Sequence, residues 1–500
     1  MPLLVAVVGA SSRVDRETLA GARRGWARTA SDRSARLGLT AGVAYFAGTL
    51  YWITDVMVAF GGTSLFVGII LNALLVAYLA LFPAAFALIL GRLVAALGST
   101  ALLLSPAIWV ATELARTHLF GGFPWVLLGY SQETVLPVAQ LASLVGVYGL
   151  SALVVLVGAT VAYTVCGTGR GRWFAVAGTL GCVLAVWGWG AQRVSREELV
   201  GQGEAIRVAL VQGNVPQADK WDPSQRQPIL ETYLALTRQA SARDADLIIW
   251  PESSTPFSFE QDQEGGEAVR RAARESGSYL LFGSDQVERA SDVKYYNAAF
   301  LLDRTGATAA VYRKIHLVPF GEFVPLRGVL FFAEPLVEVV ADFSPGDAHV
   351  TLPIAGHQAS TAICYEVVYP DLIRQFVLEG SELLTTITND AWYGDSSAPH
   401  QHFVQASMRA IEQGRYLLRA ANTGVSGIVD PYGRVVARTE IFEPALVVDH
   451  VRFLDGLTFY GRTGDMFAYL CAAMTVTALL SLWVSSRGAS RHRDRQRASH

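Results

Sequence analysis

One cysteine in the second half of the chain stands where a catalytic nucleophile could stand. The segment STAICYEVVYP places Cys364 at the end of a β-prone run and Glu366 two residues later. A thiol in a buried strand is ordinary packing, whereas a buried carboxylate is costly unless it is paired. Taken by itself, the segment fits an inert core cysteine better than a nucleophile. The role of Cys364 therefore depends on which other residues lie near it in the fold.

Other polar residues also follow strand-like apolar runs. Glu252 lies in DLIIWPES, and Asn389 and Asp390 end the run ELLTTITND. Lys314 lies in YRKIHLVPFGEFVP, where it precedes a loop that carries Glu322. In open α/β sheets, sites form at the carboxyl ends of strands. We therefore expect these strand ends to meet at one site, although Lys314 alone would also fit a solvated strand edge.

Glutamate, lysine and cysteine together can catalyse acyl transfer through a thioester. A free thiol has a pKa of about 8.5, so it needs a base or a positive neighbour to attack at neutral pH. Glu252 would accept the thiol proton, and Lys314, with a backbone N–H near Cys364, would stabilise the oxyanion. No histidine is required, but a Cys–His pair stays open as an alternative through His316, His400 and His402.

The segment between Ala205 and about Leu454 has the pattern of an α/β domain. Short β-type runs alternate with helical patterns, which indicates sheets covered by helices. The predicted strands are Ile206–Val215, Asp246–Ser253, Ser278–Ser284, Ala298–Asp303, STAICYE and Glu382–Asp390. The predicted helices are Gln225–Ala242, Gly266–Ser276 and His400–Ala420.

The composition divides the chain into a membrane part and a soluble part. Charged residues make up 17% of the 500 residues, against about 25% in an average soluble protein. The deficit is concentrated in residues 37–192, which are almost free of Asp, Glu, Lys and Arg. A formal net charge of −3 gives no basic footprint for nucleic acid. We therefore expect the membrane, and no nucleic acid, as a partner.

Six apolar stretches are long enough to cross a bilayer, which takes about 20 residues. They are Leu37–Met57, Ser64–Leu90, Val94–Ala115, Leu136–Val165, Phe174–Gln192 and Met466–Ser485. Basic residues flank the first and last stretches and occupy alternate short loops, and such loops stay in the cytoplasm. The run Met1–Ala10 is too short to span and lacks a basic n-region, so it is a poor signal peptide and fits the end of a span that begins outside this chain.

These patterns divide the chain into five parts. We expect a basic cytoplasmic segment over residues 1–36, a bundle of five spans over 37–192, an extracytoplasmic domain over 204–455, a last span over 466–485 and a basic cytoplasmic tail over 486–500. The soluble domain is placed outside because five spans separate it from a cytoplasmic N-terminus.

The cysteines give no sign of a disulfide or of a metal site. Cys166, Cys182 and Cys471 lie in apolar segments, so Cys364 is alone in the soluble part. No C-x-x-C spacing suggests zinc. We expect neither a metal nor any other cofactor.

Several motifs resemble a known superfamily. The strings WPES, YRKIHLVPFGEFVP, CYE and TNDAWYGDSSAPHQHF, in this order, resemble the nitrilase or carbon–nitrogen hydrolase superfamily. The resemblance implies a Glu–Lys–Cys triad on an αββα sandwich. Carried onto this sequence, it makes Glu252 the general base, Lys314 the oxyanion-stabilising lysine, Cys364 the nucleophile and Glu322 a supporting glutamate.

A longer set of motifs is similar to the apolipoprotein N-acyltransferase family. The strings are FGGFPWVLLGYSQ, VQGNVPQADKW and MRAIEQGRYLLRAANTGVSGIVDPYGR, and the resemblance covers about Leu37–Ser485. It implies a multispan α-helical membrane bundle plus an α/β nitrilase-like domain, in the bacterial cytoplasmic (inner) membrane with the catalytic domain on the periplasmic side. The implied reaction moves a fatty acyl chain from a phospholipid, through a cysteine thioester, to the α-amino group of a diacylglyceryl-cysteine on an apolipoprotein. We expect a monomer.

The resemblance also suggests supporting residues, each with a simpler alternative. Tyr365 and Glu366 follow the nucleophile, although Glu366 would also fit a structural salt bridge. Asn389 would support the site or cap a turn, and we expect His400 and His402 to pack or hydrogen-bond at a helix start. The candidate lipid-binding or substrate-binding residues, with plain packing as their alternative, are Trp221, Trp392 and Trp125.

Two other functions stay open at this point. A membrane-anchored amidase or nitrilase, acting on a small nitrogenous substrate, would share the triad but let water resolve the thioester. The bundle argues against it, because one span is enough for anchoring. A catalytically inactive lipoprotein-binding module or a transporter belongs to a different class. The intact triad argues against the former, and the scarcity of acidic residues within the spans, only Asp55 and Glu113, argues against proton-coupled transport.

Overall fold

The computed structural model describes residues 2–12, 23–289, 292–319, 321–323 and 343–497. The chain forms two compact units. The first unit combines Met1–Tyr51, Ile70–Ala191 and Thr463–His500, and the second combines Trp52–Ile69 with Gln192–Arg462. Residues 52–69, which connect and partly overlap the first two predicted spans, therefore pack with the second unit.

Long apolar helices dominate the first unit, and most helices of the second unit are shorter. In chain order the helices are α1 (Pro2–Ser12), α2 (Arg23–Thr49), α3 (Trp52–Ala59), α4 (Leu65–Leu97), α5 (Ser105–His118), α6 (Leu136–Ala139), α7 (Ala142–Cys166), α8 (Gly171–Arg196), α9 (Arg226–Ser241), α10 (Gln263–Ser276), α11 (Pro370–Leu378), α12 (Ala398–Gln413), α13 (Phe459–Thr463) and α14 (Met466–Arg497). The short apolar run at the start of the chain forms α1, which packs on α2 and α7.

Within the described residues, four helical runs are long and apolar enough to cross a membrane, and a fifth counts if α2 and α3, a bent pair, form one span. The longest run, Leu65–Gly121, has 57 residues. In a straight helix, Phe86 and Trp109 would lie about 35 Å apart, yet their ring centroids are 5.1 Å apart. The chain therefore turns back within this run, so α4 and α5 are two separate helices.

The turn between α4 and α5 lies later in the chain than the sequence predicts. The predicted break falls between Leu90 and Val94, but α4 continues to Leu97 and is followed by a 3-10 stretch, Gly98–Leu104. Gly98 has a φ of +73°, a left-handed conformation that favours glycine and ends the helix. The position of the break is thus set by this backbone conformation and not by the arginine at position 92.

Two buried charged residues of α5 hold the loop that follows it. Arg116 Nη1 donates to the carbonyl oxygens of Phe123 at 3.1 Å and Trp125 at 2.7 Å. Glu113 Oε1 accepts from the N–H of Leu128 at 2.8 Å. Burying charge in an apolar bundle is costly unless it is hydrogen-bonded. Glu113 and Arg116 therefore have a structural role, because they bind main-chain groups of the FGGFPWVLLGYSQ segment.

The second unit contains two six-stranded sheets. The strands are β1 (Ala205–Gln212), β2 (Leu247–Ile249), β3 (Tyr279–Arg289), β4 (Val293–Leu302), β5 (Thr308–Arg313), β6 (Leu352–Ile354), β7 (His357–Ile363), β8 (Leu383–Thr388), β9 (Leu417–Ala421), β10 (Gly427–Val429), β11 (Val435–Arg438) and β12 (Ala445–Arg452). Their orders are β12-β1-β2-β3-β4-β5 and β11-β10-β9-β8-β7-β6.

The two sheets form the inner layers of a sandwich. They contact each other through β1 and β9 and through β4 and β7. Helices α9 and α10 cover the first sheet, with a core that includes Tyr233, Trp250 and Phe282, and α11 and α12 cover the second. The predicted αββα fold is therefore confirmed. Strands β1 to β3 are parallel, as are β7 to β9, so the carboxyl ends of each set share one edge.

One predicted element is partly wrong. The sequence pattern predicts a helix over His400–Ala420, but α12 ends at Gln413 and the chain enters β9 at Leu417. Gly414 ends the helix in a left-handed conformation with φ of +63°. All five residues of β9 are buried and four of them are apolar, and a short apolar run of this kind fits a buried strand as well as a helix.

Candidate active site

Glu252 emerges three residues after the end of β2 and is 6% exposed. Its Oε1 accepts from Asn297 Nδ2 at 2.7 Å, and its Oε2 accepts from the N–H of Asn389 at 2.9 Å. The next residue, Ser253, has a φ of +42°. Behind the turn lies Gly283 of β3, where an added Cβ would sit 2.6 Å from the Cα of Glu252. Hydrogen bonds from Asn297 and Asn389 therefore fix the carboxylate of Glu252, the candidate base, and close packing against Gly283 fixes its backbone.

Lys314 follows β5 directly and is 1% exposed. Its Nζ lies 2.9 Å from Glu322 Oε1 and 3.7 Å from Glu252 Oε1. Burial lowers the pKa of Lys314, but the charges of Glu322 and Glu252 outweigh it and raise the pKa above the ordinary value. Lys314 is therefore charged at neutral pH and lies between two carboxylates. It does not lie at a solvated strand edge.

Cys364 is the first residue after β7 and begins a 3-10 turn, Cys364–Val368. Its φ is +53°, a conformation that costs on the order of 1–3 kcal/mol for a residue other than glycine. The thiol is buried, and burial, followed by the charge of Glu252, raises its pKa to about 12 even though Lys314 acts in the opposite direction. The resting thiol is thus neutral and needs a base to become a nucleophile.

Glu366 is fully buried and holds the main chain on both sides of the site. Its Oε1 accepts from Tyr312 Oη at 2.8 Å, from Ile315 N at 2.7 Å and from His316 N at 3.0 Å. Its Oε2 accepts from Ile363 N at 2.8 Å. Burial raises the pKa of Glu366 to about 7. Glu366 therefore joins the loop after Lys314 to the strand that carries Cys364, through hydrogen bonds and not through the salt bridge considered above.

A second buried network lies behind Cys364. His402 Nε2 is 3.1 Å from the carbonyl oxygen of Cys364, and His402 Nδ1 is 3.1 Å from Asp390 Oδ1. Arg419 Nη2 donates to Asp390 Oδ2 at 2.8 Å. Burial would raise the pKa of Asp390, but Arg419 and His402 hold it well below its usual range. His402 therefore hydrogen-bonds, as expected, and it faces the backbone of Cys364.

The other histidines of the Cys–His alternative lie elsewhere. His400 is exposed at the start of α12, and the ring of His316 packs on Tyr369 at 3.8 Å between centroids. Tyr365 is buried, with its ring 5.3 Å from that of Tyr369. These positions favour Glu252 over a histidine as the base for Cys364.

Asn389 and the three tryptophan candidates occupy different environments. Asn389 Nδ2 donates to Gln217 Oε1 at 2.6 Å, so its side chain joins two loops of the site. Trp221 is 51% exposed, and Trp392 is half-buried with its ring 4.9 Å from Phe60. Trp125 belongs to the first unit and is 1% exposed.

Two buried residues that contact Glu252, the candidate base, are not among the site residues predicted from the sequence. Asn297, in the middle of β4, donates from Nδ2 to Glu252 and also to Glu322 Oε1 at 2.9 Å. Lys220, in the turn after β1, donates from Nζ to the carbonyl oxygen of Glu252 at 3.2 Å. Asn297 belongs to none of the motifs quoted above, and Lys220 lies in the string VQGNVPQADKW, which supported only the family resemblance. Phe320 and the end of the GEFVP string, residues 324–325, lie outside the described residues.

Comparison with known proteins agrees with this fold. Residues 207–453 match the carbon–nitrogen hydrolase family, and residues 20–160 match the apolipoprotein N-acyltransferase N-terminal domain. An apolipoprotein N-acyltransferase of Geobacter metallireducens is 39% identical over 445 residues, covering 88% of this chain and 85% of the relative. An apolipoprotein N-acyltransferase of Methylococcus capsulatus is 39% identical over 482 residues, covering 95% of this chain and 92% of the relative. A solved amidase from Nesterenkonia sp. is 24% identical, with a TM-score of 0.41 over 55% of this chain and 98% of that chain.

The αββα sandwich with its buried cysteine defines a nitrilase-like protein of the carbon–nitrogen hydrolase class. Apolar helices that could span a membrane extend it at both ends. The chain belongs to the apolipoprotein N-acyltransferase family.

Proposed function

We propose that this chain transfers a fatty acyl group from a membrane phospholipid to the free α-amino group of the diacylglyceryl-cysteine at the N-terminus of an apolipoprotein. The observation that carries the proposal is the buried group of Glu252, Lys314 and Cys364 in a chain with several membrane-length apolar helices. The names of the relatives support the acceptor and the reaction class. Within this proposal Cys364 is the nucleophile, Glu252 the general base and Lys314 the oxyanion-stabilising residue.

In the first half-reaction, Glu252 accepts the proton of the Cys364 thiol and the thiolate attacks the ester carbonyl of the phospholipid. Negative charge then develops on the carbonyl oxygen, where the ammonium of Lys314 stabilises it. Collapse of the tetrahedral intermediate breaks the ester C–O bond. Glu252 returns its proton to the leaving alkoxide, so a lysophospholipid departs and an acyl thioester remains on Cys364.

In the second half-reaction, the neutral α-amine of the acceptor attacks the thioester carbonyl. Glu252 accepts a proton from the attacking nitrogen, Lys314 again faces the oxyanion, and the C–S bond breaks. The Cys364 thiolate leaves and regains the proton from Glu252, which restores the starting state. Because donor and acceptor bind in turn, the kinetics are expected to be ping-pong.

We further propose that the second unit is extracytoplasmic, at the surface of the bacterial cytoplasmic membrane. The arginine-rich ends of the chain, together with Arg170 before α8 and Arg172 in its first turn, support this side through the preference of basic loops for the cytoplasm. A membrane-anchored site also fits substrates that carry acyl chains. Extracting such a chain would cost about 0.8 kcal/mol per CH₂.

The decisive experiment is acyl loading without an acceptor. Purified protein is incubated with phospholipid in detergent, digested and analysed by mass spectrometry. We expect one fatty-acyl mass on the peptide that contains Cys364, removable by neutral hydroxylamine. A diacylglyceryl lipopeptide with a free α-amine should discharge it, whereas the N-acetylated lipopeptide should not. Cys364→Ala is the control that should stay unloaded.

Two outcomes would overturn the proposal. An acyl group on Cys166, Cys182 or Cys471 instead of Cys364 would exclude the mechanism. Discharge by water at the same rate with and without lipopeptide, together with ammonia release from small amides, would favour the membrane-anchored amidase.

A further inference from the structure

The chain uses lysine very sparingly. Of its 40 basic residues, 37 are arginine and three are lysine, namely Lys220, Lys294 and Lys314. Arginine stays protonated and has a wide planar head, whereas lysine has a compact amine whose pKa shifts readily on burial. In a chain that otherwise uses arginine, a lysine at a buried position indicates that a compact amine fits there better than a guanidinium.

Two of these three lysines lie beside the same carboxylate residue. Lys314 contacts the Glu252 side chain at 3.7 Å, and Lys220 donates to the Glu252 carbonyl oxygen at 3.2 Å. Lys220 is 4% exposed and Lys314 is 1% exposed. Lys294 is exposed on β4. The side chain of Glu252 and its main chain are therefore each held by a separate buried ammonium.

The turn that carries Lys220 is tied to the site from the opposite sheet. Asn422, next to the end of β9, donates from Nδ2 to the Val215 carbonyl at 2.7 Å and accepts from Val215 N at 2.9 Å. Gln217 accepts from Asn389 Nδ2 at 2.6 Å. Trp221, the next residue after Lys220, is by contrast 51% exposed. The turn thus directs Lys220 inward while its neighbour faces outward.

The buried amine interacts with the charges of the site. Burial lowers the pKa of Lys220 to about 8, while the charges of Glu252, Asp285 and Cys364 act in the opposite direction. The Nζ of Lys220 lies 3.2 Å from the carbonyl oxygen of Glu252, whose charge is, after burial, the largest effect that raises the pKa of the Cys364 thiol. A positive charge in this site favours formation of the thiolate, and the effect depends on whether the amine is protonated. Lys220 therefore has the position to influence both the proposed base and the proposed nucleophile.

We infer that Lys220 is a positioning residue of this site, whose buried ammonium fixes the main chain of Glu252 and favours ionisation of Cys364. The inference rests on the proposed function for the identity of the nucleophile. Lys220 acts through these two residues, and no bond to it forms or breaks in the reaction.

The test is the alkylation rate of Cys364 by iodoacetamide between pH 6 and pH 10, measured on the Cys364 peptide by mass spectrometry in the full-length protein. At pH values below the pKa of the thiol, the alkylation rate follows the fraction of thiolate. A rise of about one unit in the thiol pKa therefore lowers the alkylation rate about tenfold. We expect Lys220→Met to be about tenfold slower than wild type at pH 6–7. The difference should shrink above pH 8, where the wild-type amine loses its proton.

Two further variants separate charge from structure. Lys220→Arg keeps its charge throughout this range, so its advantage over Lys220→Met should persist to pH 10. Lys294→Met removes an exposed lysine and should follow wild type at every pH. Thermal unfolding of each variant shows whether the fold is retained.

The inference is wrong if Lys220→Met follows wild type, or if Lys220→Met and Lys220→Arg are slowed by the same factor at all pH values. The alkylation assay needs no phospholipid, so either result would leave acyl loading of Cys364 untouched. Conversely, failure of wild-type Cys364 to load would overturn the proposed function without changing the alkylation profiles.

Discussion

Nε2 of His402 lies 3.1 Å from the carbonyl oxygen of Cys364. A carbonyl only accepts, so this nitrogen carries the proton and donates. Burial, followed by the charge of Arg419, lowers the pKa of His402, so the ring is neutral at pH 7. Cys364 adopts a strained positive φ, and the hydrogen bond from His402 holds the residue in that conformation.

Replacing His402 should therefore disturb the backbone of Cys364 without removing a reacting group. In His402→Leu the carbonyl of Cys364 loses its donor, and Arg419 Nη2 loses the acceptor that Nδ1 offers at 3.0 Å. We therefore expect a loss of about 1–3 kcal/mol in the free energy of unfolding, with slower acyl loading. His402→Gln keeps an N–H near the Nε2 position, so it should recover part of the unfolding free energy and part of the acyl-loading rate. Urea unfolding and the loading assay measure the two effects. Equal loading rates for His402→Leu and wild type would show that this hydrogen bond does not position the nucleophile.

Asn297 is placed where only an amide satisfies both neighbours. Its Nδ2 donates to Glu252 at 2.7 Å and to Glu322 at 2.9 Å. In Asn297→Asp a third carboxylate would face the other two, and like charges disfavour ionisation of the group. We expect acyl loading to fall about a hundredfold at pH 8 and less at pH 5.5, where a protonated Asp can donate. Asn297→Ala lacks the added charge, so it should reduce acyl loading at pH 8 by a smaller factor than Asn297→Asp. An Asn297→Asp enzyme as active as Asn297→Ala at both pH values would contradict this explanation.

Gly283 is needed for close approach of β3 to the Glu252 turn. A Cβ at this position would lie 2.5 Å from the N of Ser253 and 2.6 Å from the Cα of Glu252. Gly283→Ala must displace the backbone of Glu252, the proposed base, so we expect a loss of about 1–3 kcal/mol in unfolding free energy and a clear loss of acyl loading. Gly201→Ala is the control, because a Cβ there meets nothing within 4 Å. Loading by Gly283→Ala at the wild-type rate would show that the turn tolerates the shift.

The strand ends that carry Glu252, Cys364 and Asn389 could be predicted because each follows an apolar run that a buried parallel strand requires. Glu252 then stands at the carboxyl edge of the first sheet, and Cys364 and Asn389 stand at the carboxyl edge of the second. This argument places the base and nucleophile candidates without any knowledge of their distances.

Asn297 and Lys220 could not be found by the same argument. Asn297 lies within β4, where an inward polar side chain looks like any other interruption of the apolar pattern. Lys220 lies in a turn, where lysine is ordinary. Its signals in the sequence are its place in the string VQGNVPQADKW and the rarity of lysine beside 37 arginines. Neither signal indicates a contact with Glu252 until the structure shows the buried amine beside it.

His357 predicts a pH dependence of stability away from the site. Its Nε2 lies 3.1 Å from Glu204 Oε2 and its Nδ1 lies 2.6 Å from Glu382 Oε2, while its ring stacks on Phe453. Hydrogen bonding to Glu204 is the largest effect, and it outweighs burial to raise the pKa of His357. A raised pKa stabilises the fold fully below the unfolded value of about 6.5, and this stabilisation is lost as pH rises through the folded pKa.

His357→Gln should therefore lower the melting temperature more at pH 6 than at pH 9. His400→Gln, which changes an exposed histidine, should show no such difference. Thermal unfolding in detergent at the two pH values measures both variants. A melting-temperature loss for His357→Gln that is the same at pH 6 and pH 9 would show that protonation of His357 does not contribute to stability.

The proposed side of the second unit can be tested with a matched pair of threonines. Thr305 is exposed in the second unit, and Thr168 is exposed in the loop between α7 and α8. In a background in which all four native cysteines are replaced, Thr305→Cys and Thr168→Cys each present one thiol. An impermeant maleimide should label Thr305→Cys in intact spheroplasts and should miss Thr168→Cys, because basic loops remain in the cytoplasm. Both should be labelled once detergent opens the membrane, which shows that the thiols themselves are reactive.

The reverse pattern in intact spheroplasts would place the second unit in the cytoplasm, and the proposed apolipoprotein acceptor would then be on the wrong side of the membrane.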